Sequence, residues 1–227
     1  SHLAQWLSQR AHELGTASTH WISVTQEDGV SRMLAPLCHQ ILRTLDMTKD
    51  ETRARVSEQL SMLGSQDSGE VDALVAMLGP YGKDAERSGV EFERAKARYV
   101  LVRRLLQRVS TLRPVVLVID EAHTNKDALA FARHLMRAQA YAPHPILLLL
   151  TVQQHGLSDE VRGLIDEFGQ LDHVGSMALK PLETEQRERL VREILGLNQQ
   201  LAAFQSSIYH HDRIAELGYC INKTHRG

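Results

Sequence analysis

Cysteine is nearly absent from this chain of 227 residues: Cys38 and Cys220 stand far apart, in no CxxC or CxxH spacing. That argues against a disulfide framework and a cysteine-based zinc site, and for a reducing compartment. A charge excess is also lacking. With 26 Lys and Arg against 28 Asp and Glu, the net charge is −2, so bulk electrostatics announces neither nucleic acid nor an anionic membrane as a partner. Long apolar runs are missing too. The longest, residues 115–119 and 146–150, are far too short to span a bilayer, and no charged-then-apolar signal opens the chain. Internal repeats and low-complexity tracts are absent. What remains is a soluble, cytoplasmic reading, with 43% hydrophobic residues, enough for one substantial core or a domain with an appendage.

The elements follow from periodicity. Residues 1–15, SHLAQWLSQRAHELG, predict a helix with Leu3, Trp6, Leu7 and Leu14 on its apolar face and Gly15 at its C-terminal cap. Trp6 and Trp21 are expected in the core. Residues 19–25, THWISVT, read as a short strand. Residues 31–45 predict a helix with Met33, Leu34, Leu37, Ile41 and Leu45 on one face, Cys38 as an inert buried thiol, and Pro36 tolerated in the first turn. Residues 46–89 are polar and rich in glycine, and predict two short helices packed loosely as an insertion. A long helix over 90–110, with a solvated charged face, is stopped by Pro114, which delivers the chain into the strand VVLVID.

An amphipathic helix over 126–138 comes next, then a second buried run, ILLLLTVQ (146–153), and a helix N-capped by Ser158. Residues 173–182, HVGSMALKPL, read as a strand, and 183–196 as a helix closed by Gly196. Continuous rather than alternating apolar strands imply burial on both faces. The expected fold is therefore α/β and three-layered, a mostly parallel central sheet with helices on both faces. One domain is expected over 1–197, with a tail of unknown role over 198–227.

The strand VVLVID runs into two adjacent carboxylates, Asp120 and Glu121. Ligands of open parallel sheets collect at the carboxyl ends of strands. An aliphatic run ending in Asp-Glu is the Walker B pattern, in which the first acid holds the shell of a Mg²⁺ ion and the second orients or deprotonates an attacking water. Such work needs a rigid strand end, because a misplacement of about 1 Å can cost on the order of a hundredfold in rate. The plainer alternative is that Asp120 caps the next turn and Glu121 is merely exposed. The glycine loop GxxxxGK[ST] that partners Walker B is absent from the sequence. Yet residues 1–15 look like the segment just after its lysine: a hydroxyl, one residue, then an apolar helix. Ser1 is then the Mg²⁺-contacting hydroxyl, and the first strand, glycines and lysine are expected upstream of it. The alternative is an arbitrary start at Ser1. The second buried run ends in Thr151, Gln153 and Gln154, polar candidates for sensing a γ-phosphate.

On these pieces, SHLAQWLSQRAHELG, VVLVIDEAH, PILLLLTVQQ and the softer MALKPLETEQRERLVREILG, the chain resembles the AAA+/STAND group of P-loop ATPases over residues 1–197. The nearest flavour is the bacterial signal-transducing kind of regulators, kinase-linked modules and phage-defence proteins. The resemblance implies ATP and Mg²⁺ as ligands, with Ser1 and Asp120 on the metal, Glu121 catalytic, and Thr151 or Gln153 as sensor. It further implies a homo-oligomer, or other domains of a larger protein, as partners, with the helix after Lys180 relaying the nucleotide state.

There are departures from that pattern. Glutamines stand where relatives carry an arginine after the sensor strand, and residues 198–227 contain no proline for a Gly-x-Pro lid. Residues 120–123 spell DEAH, a helicase motif, but only about seventy residues come after Leu157, too few for a second RecA-like domain. His123 is then most simply a turn residue. The irregular spacing of His210, His211, Asp212 and His225 favours surface or partner contacts over a metal site. Besides an ATPase that switches assembly or signalling, the sequence leaves open a nucleotide-dependent scaffold with little hydrolysis and a DEAH-like, nucleic-acid-dependent ATPase. A degenerate platform without nucleotide is a further alternative.

Overall fold

The computed structural model of the chain describes residues 1–24, 30–79, 95–153, 156–171, 173–180 and 183–194. The chain divides into two compact units, Ser1–Val174 and Gly175–Gly227.

The first unit is built on three parallel strands, β1 (Ser18–Ser23), β2 (Val115–Asp120) and β3 (Ile146–Leu150), in spatial order β1-β2-β3. Val115 pairs with Ser18 on one side and Ile146 on the other, and Ile119 with Ile22 and Leu150. Val115, Leu117 and Ile119 enter the larger of two cores, and Val116 and Val118 the smaller, so helices cover both faces of β2. Full burial of each such side chain stabilises by roughly 1.5–3 kcal/mol. The smaller core is closed by α1 (His2–Glu13) through Ala4 and Ala11. The larger collects residues from α2 (Val30–Leu42), α3 (Lys49–Met62), α4 (Ser68–Leu78), α5 (Ala95–Leu112), α6 (Lys126–Tyr141) and α7 (Asp159–Gly169). The α/β, three-layer expectation holds among the described residues.

Several expectations are overturned. Helix α1 turns Ala4, Ser8 and Ala11 inward, and small side chains at this spacing let a helix lie close on a sheet. Leu3, Trp6, Leu7 and Leu14 are exposed instead, Trp6 by 61%. Trp21 is half-buried against the smaller core. The end of α1 is as expected: Gly15, at φ +63°, lets its own N–H reach the His12 carbonyl and that of Thr16 the Ala11 carbonyl. Helix α2 begins at Val30, so Pro36 falls in the second turn rather than the first. Burial of Met33, Leu34, Leu37, Cys38 and Leu42 outweighs the lost backbone bond, a cost of about 3 kcal/mol. Leu45 is exposed because Arg43, at φ 55°, has already ended the helix.

The segment expected as a loose insertion is part of the main core. Its two helices are α3 and α4, and Val56, Leu60, Leu74, Val75, Met77 and Leu78 are all buried. Thr48 and Glu51 form a reciprocal capping box at the start of α3. Buried Glu70 of α4 accepts from the Ser65 hydroxyl at 2.8 Å and the Arg108 guanidinium at 2.9 Å. The rest of that segment, 80–89, and the start of the next expected helix lie outside the described residues.

No strand forms over 173–180, contrary to expectation. Residues 175–180 are exposed, so their β-type composition gains no burial to offset the ordering of the backbone. The second unit contains α8 (Thr184–Ile194), which carries an Arg192–Glu188 ion pair one turn apart. Gly196, the expected boundary after 197, Cys220 and the histidines of the tail lie outside the described residues.

Candidate functional site

Strand β2 stops at Asp120 because the next residue leaves the extended region. Glu121 adopts the left-handed conformation, φ 53° and ψ 38°, which costs a non-glycine residue roughly 1–2 kcal/mol. The end of β3 holds it there. The Glu121 N–H donates to Thr151 Oγ1 at 2.8 Å, the Ala122 N–H to the Thr151 carbonyl at 3.0 Å, and the Thr151 N–H to the Ile119 carbonyl at 3.1 Å. Past Glu121 the chain makes a 3₁₀ turn, Ala122–Thr124. The Thr124 hydroxyl returns to the Glu121 carbonyl at 2.8 Å. Asn125 then caps α6, its side chain accepting from the N–H groups of Asp127 and Ala128 at 2.8 and 3.3 Å.

Two hydroxyls converge on one carboxylate oxygen at this strand end. Asp120 Oδ1 accepts from Ser1 Oγ at 2.7 Å and from Thr151 Oγ1 at 2.5 Å. Ser1 occupies the N-cap position of α1, where a serine ordinarily bonds the first-turn N–H groups. It makes no such capping bond; its hydroxyl instead reaches a residue 119 positions away. The amino end of α1, carrying the positive end of the helix dipole, therefore stands beside the carboxyl end of β2.

Of the residues singled out in sequence, the structure brings Ser1, Asp120 and Thr151 into one cluster and joins Glu121 to it through its main chain, leaving Glu121 exposed. Gln153 takes part through its backbone alone, its N–H donating to His123 Nδ1 at 3.4 Å. Gln154 lies outside the described residues. His123 serves the turn beside the acids, as its place after Glu121 led one to expect. Two contributors were not legible in the sequence, Thr124 and Asn125, four and five positions after the end of β2, although Asx and hydroxyl residues are general turn formers.

The cluster consists of oxygen donors, two hydroxyls and a carboxylate, a set that suits a hard divalent cation such as Mg²⁺ rather than a soft one. Among the described residues no group of three or more His, Cys, Asp or Glu forms an alternative metal site, and no helix is long and apolar enough to cross a membrane. A cavity of about 360 Å³ between α3 and α4, lined by Arg53 and several serines, and one of about 300 Å³ beside Trp21, Met33 and Gln40 are not lined by Ser1, Asp120, Glu121 or Thr151. Cys38 is buried, and burial raises its thiol above the ordinary range, the state of an unreactive cysteine.

Comparison of the chain with protein-family models, with curated proteins and with solved structures returns no match. The fold and site together define a class alone: an α/β sandwich with a parallel sheet, and an acidic strand end dressed by two hydroxyls.

Proposed function

We propose that this chain is a P-loop ATPase module of AAA+/STAND type, which binds ATP with Mg²⁺ and hydrolyses it to switch the assembly or signalling of a larger protein. The observation that carries the reading is the bond from Ser1 to Asp120. A hydroxyl at the start of a helix and the first acid of a strand end, far apart in sequence, meet at the carboxyl ends of parallel strands. There phosphates gain both a helix amino terminus and a metal.

On this reading Ser1 and Asp120 hold Mg²⁺, which when bound neutralises charge building up on the phosphates. Glu121 orients the attacking water and accepts its proton as the terminal phosphoryl group passes to the water oxygen and ADP leaves. On the same reading Thr151 or Gln153, at the end of β3, reports the γ-phosphate. The reading requires a glycine loop and lysine preceding Ser1, and an upstream sequence without them overturns it.

The test is calorimetric titration of ATP, with and without Mg²⁺, into the full protein and its Asp120→Ala variant. Mg²⁺-dependent binding that weakens in the variant supports the reading; no binding by the unaltered protein sinks it. Glu121→Gln separates the roles of the two acids: turnover is abolished while ATP affinity is kept.

A second reading, a nucleotide-dependent scaffold with little hydrolysis, is favoured by the exposed Leu3, Trp6 and Leu7 of α1 and Leu14 just after it, an apolar surface suited to assembly. Turnover measured on the assembled protein distinguishes the two.

A further inference from the structure

We propose that Thr151 is a positioning residue that sets both acids of the site before any nucleotide arrives. The inference rests on the ATPase reading for its consequence, but on geometry alone for its substance.

A hydroxyl has one proton to give and lone pairs to receive. At Thr151 the proton goes to Asp120 Oδ1 at 2.5 Å, and a lone pair receives the Glu121 N–H at 2.8 Å. The two bonds depend on each other, because the amide fixes which way the hydroxyl proton can turn. The same side chain therefore orients the Asp120 carboxylate and supplies the acceptor that lets Glu121 stay left-handed. The main chain of Thr151 is equally committed, bonded through N–H and carbonyl to Ile119 and Ala122, so the hydroxyl is presented from a rigid point.

Without that acceptor, the Glu121 amide loses its partner and the local bias returns to extended backbone. Successive residues of an extended strand point to opposite faces. Glu121 would then project to the face opposite Asp120, away from the place its left-handed turn now gives it. Loss of that alignment acts on the chemical step more than on nucleotide binding, which the reading assigns to Ser1, Asp120 and the residues before them.

The experiment compares the full protein with Thr151→Val, which keeps shape and removes the hydroxyl, and Thr151→Ser, which restores it. Three quantities are measured: kcat for ATP hydrolysis, Mg²⁺-ATP affinity, and hydrogen exchange at the Glu121 amide without nucleotide. Thr151→Val is expected to lower kcat by roughly a hundredfold, to weaken affinity by far less than that, and to speed Glu121 exchange by about tenfold or more. Thr151→Ser is expected to recover both the rate and the protection.

Unchanged Glu121 exchange in Thr151→Val overturns the proposal, whatever happens to turnover. So does a loss of affinity that matches the loss of rate, since that marks a direct phosphate contact. If the unaltered protein hydrolyses no ATP, the ATPase reading falls and the catalytic consequence with it. The exchange comparison still decides whether Thr151 holds Glu121.

Discussion

Residues 115–119 of β2 are between 0 and 7% exposed, whereas β3, an equally aliphatic run of Ile and Leu, leaves Leu147 50% exposed and its other residues only partly buried. The two strands are adjacent, parallel and in register. Their difference lies in their neighbours. Strand β2 has a strand on either side and helix residues against both faces; β3 has a paired strand on one side alone among the described residues. Composition states how much apolar surface an element has to hide, and its surroundings decide how much of it is hidden. A row of aliphatics at a sheet edge is an unusual arrangement, because unpaired edge groups invite further pairing.

Substitutions sharpen that contrast. Leu117→Ala in β2 removes a fully buried side chain and is expected to cost about 2–5 kcal/mol, read as a shift in the urea midpoint. Asn125→Ala, which strips the cap from the helix after β2, is expected to cost about 1 kcal/mol in the same measurement. Leu147→Ala in β3 is expected to cost under about 1 kcal/mol, because little transfer free energy is lost where water already reaches the side chain. Equal losses at 117 and 147 would mean that β3 is covered in solution, and the contrast between the strands would collapse.

The smallest effect concerns His20 on β1, half-buried beside β2. Burial holds its imidazole below the ordinary value of 6.5. The folded state thus favours the neutral ring, and the unfolded chain takes up the proton first as pH falls. Stability is full above about pH 6.5 and declines below it. His134, lowered by burial and then by Arg103, contributes in the same direction. Unfolding curves at pH 7.5 and 5.5 check the sign, and His20→Gln should reduce the difference without abolishing it.

Much of this was legible in the sequence, and what was not shares one cause. Strands β1 to β3 and helices α3, α4, α6 and α7 carry their own period or run, and Ser158 caps α7 by accepting the Val161 N–H as a serine in that place should. The meeting of Ser1 with Asp120 is encoded by no local pattern; only the resemblance, which puts both residues on one metal, brought them together in advance. The failures depended on partners. The largest side chains of α1 were assigned inward, but a helix lying close on a sheet has room for alanine and serine rather than leucine and tryptophan. Residues 173–180 have strand composition, yet a strand forms only where its ladder and burial exist. The left-handed turn at Glu121 has no signature of its own. It is stabilised by a hydroxyl thirty residues away, a distance over which local propensity carries no information.

Trp6 stands outside the core and five residues along a helix from Ser1, roughly 7–8 Å of rise at 1.5 Å per residue. Its indole is bathed in water, while the protein's other indole, Trp21, is partly shielded. Their fluorescence should therefore separate by colour and by access to a dissolved quencher such as iodide. The red-shifted, quenchable component belongs to Trp6. Any ligand settling at the amino end of α1, or any second molecule covering that helix, can be followed by its light without a label.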